Sequence, residues 1–404
     1  MRFLRVRATL VPAALCAAVT GCAQSAVTPG GASAPGTSGA LSSAVTKRSV
    51  VEKAAAGDYL YVENGDNTLS AFAVAKNGAL SPVTGSPFDS NTNSPGAFAI
   101  AIDPKGPYLY TTGSVSNNIA QFSIGAGGVL SLVSSSTNGE GSPGFTTLSK
   151  SDGVLYVADT TGGGSIGAFS VQKGSGALTA LKGSPFPVSC PGFCTSSPDY
   201  AVADGAYLYT VDTYGFYVST FSVSKKGALT ELNSYATHYG PTAAVLTPNG
   251  DYLYVTNGAS ANISAYAVAG GVLTQLTGSP FGAGGQPQGI AITPNGKYVY
   301  VANYGDGTIS GYSVGSGGAL VQLSGSPFAD GAGTAPTAIT IDKAGKTLSL
   351  PTRAPTPSRS MRSPHRAPSP RSRAHRFRIP RTRLDRAAWR CTNRNPRGSA
   401  GRTR

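Results

Sequence analysis

The chain has 404 residues, 40% of them hydrophobic and 12% charged, with 53 Gly and 19 Tyr, which suits one large all-β domain and leaves too little Lys and Glu for long surface helices. Its formal charge of +14 would suggest a nucleic-acid partner if it were spread over a folded surface. Instead residues 1–48 carry +5, residues 49–350 carry 11 Lys, no Arg and 17 acids, and residues 351–404 carry 16 Arg against Asp385 alone, so the body is mildly acidic and nucleic acid is excluded as its partner.

The chain opens on Arg2, Arg5 and Arg7 ahead of the apolar run LVPAALCAAV, which is too short to cross a bilayer as a helix and reads as an export signal. Val19-Thr20-Gly21-Cys22 resembles the bacterial lipobox, in which the cysteine becomes the lipid-modified first residue of the mature protein. That resemblance implies a leader over residues 1–22, a lipid at Cys22, and an exported protein anchored to a membrane and facing the periplasm or the cell exterior. Residues 23–48, rich in Ala, Ser, Gly, Thr and Pro, read as a flexible tether.

Beyond the tether the chain repeats itself. Leu-Tyr-Val-type strands begin at Tyr59, Tyr108, Val154, Tyr207, Tyr252, Tyr298 and Thr347, spaced 49, 46, 53, 45, 46 and 49 residues apart. A complete unit has a small-to-apolar strand such as GIAIT at 289–293, the Leu-Tyr-Val strand, a third strand such as TISGYSV at 308–314, and a last strand such as GALVQL at 318–323 that ends in GSPF. Four short strands at a near-constant period predict an all-β fold, a β-propeller of the seven-bladed type with four-stranded blades. The near-continuous apolar runs suit inner strands buried on both faces. The propeller is predicted over residues 49–348 as six blades plus the start of a seventh: TAITID at 337–342 supplies its inner strand, and TLSL then runs into Pro and Arg. The last blade is thus truncated, with open edges where closure is lost. No clear inner strand precedes Tyr59.

YVTN at 254–257, YVAN at 300–303 and the GSPF segments starting at 85, 183, 278 and 325 resemble the seven-bladed β-propeller lactonase-like family with YVTN-type repeats, over residues 57–348. The resemblance implies the scaffold and, as one activity, hydrolysis of a sugar lactone of the 6-phosphogluconolactonase-like type. Active members use His, Arg and Glu among their side chains to polarise a lactone carbonyl and move a proton. With no Arg between 49 and 350, and with His238 in a loop before Pro241 as the one histidine of the body, that set does not carry over. The sequence therefore names no catalytic residue and no cofactor. It favours an extracytoplasmic binding or scaffold protein with a carbohydrate or protein ligand, and lactone hydrolysis is the alternative.

Asp103, Asn249, Asn295 and Asp342 read as hairpin-turn residues, too few and too scattered for a metal site. Cys190 and Cys194, in CPGFC inside the 53-residue repeat, read as a local disulfide ahead of a metal pair or free thiols in an exported protein.

Residues 349–404 are poor in apolar groups and dense in Arg and Pro, which predicts disorder. Back-translated one base out of frame, they permit a second reading. Joining the third base of each codon to the first two of the next permits ANAGSNTVSVYA across 350–362 and GALTPVPGSPF across 366–377, two blade segments in the right order. The tail reads as the frameshift product of a seventh blade; the competing reading is an Arg/Pro-rich tail in its own right.

Overall fold

The computed structural model describes residues 49–352, apart from breaks at 55–56, 65, 76–78, 92–96, 114–115, 138–140, 150–152, 161–163, 190–196 and 330–334, together with 373–378. The leader with Cys22, the tether, both Cys190 and Cys194, and most of the tail lie outside the described residues.

Seven antiparallel sheets follow one another along the chain, six of four or five strands and the last of three. Their innermost strands are Ser49–Ala54, Ala97–Ile102, Pro143–Leu148, Pro198–Ala203, Pro241–Leu246, Pro287–Ile292 and Thr340–Ile341. Each packs beside the innermost strands of two neighbouring blades, so the circuit around the centre closes. The expected open ring is thereby corrected. Ser49–Ala54 pairs along its whole length with Gly57–Glu63 and lies beside both Ala97–Ile102 and Thr340–Ile341. A strand edge recruits an extended neighbour through its backbone groups, and SVVEKA meets that need without the small, apolar composition of the other inner strands.

The Leu-Tyr-Val strands are buried on both faces, and their period of two assigns each face to a different neighbour. Tyrosines at the third position point to the following blade: Tyr254 shares a core with Val299 and Val301 of blade six, and Tyr300 with Leu348 and Leu350 of blade seven. Leucines at the second position point back, so Leu253 packs with Tyr209 and Val211 of blade four. At the junction of blades seven and one this alternation runs out. Among the described residues, Leu60 and Val62 share an apolar cluster with Phe72, Val74 and Leu80 of their own blade, and the tyrosine position of blade seven is Ser349.

The tyrosines also latch the blades through hydrogen bonds. The hydroxyls of Tyr61, Tyr110, Tyr156 and Tyr254 donate to the carbonyls of Gly128, Gly176, Gly227 and Gly318 in the following blade, at 3.0, 2.7, 2.9 and 2.7 Å. In blade four Tyr209 donates instead to Asp204 Oδ2 at 3.2 Å. Gly318 has φ +79°, and a Cβ there would lie 2.4 Å from the Tyr252 ring, so this position requires glycine.

GSPF closes the outer edge in blades one, three, five and six. Its Ser-Pro bond is cis, the serine hydroxyl accepts a backbone N–H from the third strand (Ala265 to Ser279, 3.0 Å), and the phenylalanine pairs with that strand (Ile263 opposite Phe281). Blade seven ends differently. Thr347–Thr352 extends past the expected boundary at 348, and Arg373–Arg378 pairs with it, inside the stretch predicted to be disordered. An unpaired edge accepts an extended segment whatever its side chains.

Candidate functional site

In five blades the innermost strand carries an extra residue just after its start. The register slips between Ala97 and Ala99, Pro143 and Thr146, Pro198 and Tyr200, Pro241 and Ala243, and Pro287 and Gly289. In each case the strand start lies opposite the end of the second strand, as Pro198 does with Asp212 and Pro287 with Asn303. The bulges therefore ring one end of the central channel. Proline suits the start of a strand because it has no N–H to leave unpaired, and a bulge re-aims the residue it inserts. The inserted positions include Asp199, Thr242 and Gln288.

Below this ring lies a channel of about 250 Å³ lined by the innermost strands of blades two to seven. Ile100, Ile102, Phe145, Tyr200 and Ile290 give it apolar walls, and Thr146, Thr147, Gln288 and Thr337 supply hydroxyl and amide groups. Phe145 and Tyr200 stack with centroids 4.2 Å apart and planes at 13°. Thr337 is 8% exposed, and its hydroxyl has no hydrogen-bond partner. None of the described lining residues carries a charge. Apolar walls with a few fixed polar groups are the pattern of a small-molecule site, and this one falls just below the usual range of roughly 300–1,000 Å³.

Asp199 is the one carboxyl among those inserted residues. Burial pushes its pKa up to about 6, hydrogen bonds from Thr213 pull it back, and the nearby Asp212 carboxylate raises it further. Asp212 is itself held by backbone amides: Ser197 donates to Oδ2 at 2.5 Å, and Tyr214 and Gly215 donate to Oδ1 at 3.1 and 2.5 Å. Asp199 is not itself among the residues that line the channel, but it sits in the bulge next to the lining residue Tyr200, and a carboxyl whose pKa burial raises is suited to take up and release protons near neutrality. Sequence alone does not single out Asp199, whose place in a bulge depends on the partner strand; the signal available is proline recurring at the start of one inner strand after another.

His238 stays in the connection after the outer strand of blade four. It is half-buried, its carbonyl accepts from the Thr237 hydroxyl at 3.0 Å, and it does not line the channel. The asparagines of the YVTN-type repeats hold turns: Asn257 Nδ2 donates to Asn262 Oδ1 and Ser264 Oγ at 2.8 and 2.9 Å, and Asn303 does the same to Thr308 and Ser310. Asp103 and Asp342 accept from the amides of Lys105 and Lys346 in their hairpins. Among the described residues no cluster of three or more His, Cys, Asp or Glu could hold a metal ion.

Against this geometry the likenesses to known proteins can be set. The chain matches the family described as lactonase, 7-bladed β-propeller, over residues 48–196, 187–278 and 209–345. No curated protein matches it in sequence. A putative 6-phosphogluconolactonase from Bacteroides fragilis is similar in structure, with a TM-score of 0.60 at 22% identity over 71% of this chain and 85% of that one. A second putative 6-phosphogluconolactonase, from Bacteroides uniformis, gives 0.57 at 18% identity over 74% and 88%. The periplasmic gluconolactonase of Pseudomonas aeruginosa gives 0.57 at 17% identity over 76% and 93%. At these identities the neighbours show a shared fold.

Proposed function

The chain belongs to the seven-bladed β-propeller lactonase family, and from that premise we propose that its central channel binds a small, uncharged sugar lactone and opens it with Asp199 as proton acceptor. The observation that carries this reading is the lining: threonine and glutamine side chains set in apolar walls, with no Lys or Arg among them. A phosphorylated lactone would bring buried negative charge to a site without a cation to meet it, at a cost of several kcal/mol or more. A neutral polyhydroxylated ring finds hydroxyl and amide partners there.

In this reaction the Asp199 carboxylate takes a proton from water as the water oxygen bonds to the lactone carbonyl carbon. The ring C–O bond of the ester then breaks, and the released alkoxide takes the proton back from the Asp199 carboxyl, which restores the carboxylate and gives the open hydroxy acid. The Thr337 hydroxyl and the Gln288 amide are the donors nearest in kind to those that stabilise a developing oxyanion.

The test is acid release from glucono-1,5-lactone by the full chain. Acceleration above the spontaneous rate should rise with pH through about pH 6, following the Asp199 carboxyl. Asp199→Asn should lower it by about 100-fold or more while lactone binding persists. Undiminished turnover in that variant removes Asp199 from the role, and a protein that neither binds nor hydrolyses the lactone refutes the channel reading. Binding without turnover is the second reading, favoured by the uncharged lining. A lipid at Cys22 would hold this site outside the cytoplasm, and Cys22→Ala protein should then leave the membrane fraction.

A further inference from the structure

Tyr300 is fully buried, yet its hydroxyl has no hydrogen-bond partner. Its counterparts Tyr61, Tyr110, Tyr156 and Tyr254 each reach a glycine carbonyl in the next blade, 67, 66, 71 and 64 residues further along the chain. Those glycines begin the outer strands of blades two, three, four and six, where each has a positive φ and lies against the first aromatic or valine of the preceding Leu-Tyr-Val strand. Beside Tyr298 and Tyr300, the described residues of blade seven offer no such turn. Its third and last strand is Arg373–Arg378, with the sequence RAHRFR and no glycine. An orphaned buried hydroxyl is costly, and native interiors seldom keep one.

The tail supplies what the structure lacks, in another frame. With the separations of 64 to 71 residues found for the other four tyrosines, the glycine due to Tyr300 falls between positions 364 and 371. Within that span the residues of the tail permit, in the overlapping frame, the reading GALTPVPGSPF, whose first glycine spans Arg366 and Ala367 when the Arg366 codon ends in G. The same composition, GALTALKGSPF, runs from Gly176, and GALVQLSGSPF runs from Gly318. The orphaned hydroxyl comes from packing and the permitted shifted reading from the residue order of the tail, so the two are independent. They fall in the same short span.

We propose that the face presented by Tyr298 and Tyr300 is the docking site of the seventh blade's own outer hairpin, a Gly-Ala-Leu segment ending in Gly-Ser-Pro-Phe that is encoded in the overlapping frame of the tail. In the protein read in that frame the glycine carbonyl accepts the Tyr300 hydroxyl, and Arg373–Arg378 is replaced at the edge of Thr347–Thr352 by the blade's own third strand.

Two measurements test this. The first is the gene sequence: the codons for Arg366 and Arg373 must each end in G, since only a third base of G gives glycine with the GC that opens the following alanine codon. Any other base at Arg366 overturns the proposal. The second compares Tyr300→Phe and Tyr254→Phe, in the full chain and in a protein whose frame is restored by one added base at the codons of Ser349 and Leu350. In the full chain, Tyr254→Phe should lower the folding equilibrium constant about fivefold or more, and Tyr300→Phe should not lower it. In the frame-restored protein both should lower it alike. Loss in Tyr300→Phe already in the full chain, no loss in the frame-restored protein, or a frame-restored protein that does not fold would each overturn it.

Discussion

The seam between blades five and six and the two seams of blade seven are built from the same strand type, and they differ in what faces the tyrosines. At the first, Tyr254 is buried against Val299 and Val301 and its hydroxyl is held by Gly318. At the seam of blades six and seven, Tyr300 has an apolar bed in Leu348 and Leu350 but no hydrogen-bond partner. At the seam of blades seven and one, Leu60 and Val62 face a blade whose tyrosine position is serine. Apolar packing and polar latching are therefore separable here: two strands of a blade provide the packing, and only the outer strands complete the latch. Ring closure needs less still, a strand's backbone edge.

The largest effect that would break this contrast is a cavity. Leu253→Ala, in the filled seam of blades four and five, should cost about 3–5 kcal/mol, and Leu60→Ala, whose apolar cluster among the described residues lies within its own blade, nearer 2 kcal/mol, since a site with fewer apolar neighbours collapses more readily. Urea denaturation of the two variants measures the difference; equal losses would mean that blade seven fills its seam as well as the others.

Next comes charge buried beside the channel. Asp199 has a raised pKa of about 6 in the folded protein against 3.8 ordinarily, so the folded state holds more protons than the unfolded one between those values, and stability falls as pH rises through that window. The fall should amount to about 2–3 kcal/mol and should vanish in Asp199→Asn. A wild-type stability curve flat from pH 4 to 6 would show that water reaches the carboxyl.

A smaller effect probes the latch itself. Gly318→Ala places a Cβ 2.4 Å from the Tyr252 ring at φ +79° and should cost about 2 kcal/mol. Gly127→Ala, also at positive φ but with nothing within 4 Å, should cost about 1 kcal/mol. The difference in thermal midpoint between the two isolates the contact from the backbone term.

The repeat was legible in sequence because it is local: strand, turn and strand recur at a near-constant period, and the Leu/Tyr alternation declares two buried faces within four residues. The turn roles of Asp103 and Asn295 were legible for the same reason. Ser49–Ala54 was not, since Glu52 and Lys53 disguise a strand whose place is set by pairing with Gly57–Glu63 rather than by its side chains. Arg373–Arg378 escaped likewise, its place set by pairing with the open edge of Thr347–Thr352 rather than by its composition. Asp199 escaped because a bulge is a relation between two strands, visible only once Pro198 is seen opposite Asp212.

Native-state hydrogen exchange read strand by strand tests most directly the claim that blade seven is packed but unlatched. Amides of Tyr252–Asn257 should open only with the whole molecule, and those at 347–350 should exchange at least 100-fold faster through local opening of the three-stranded sheet. Equal protection of the two strands would contradict the account.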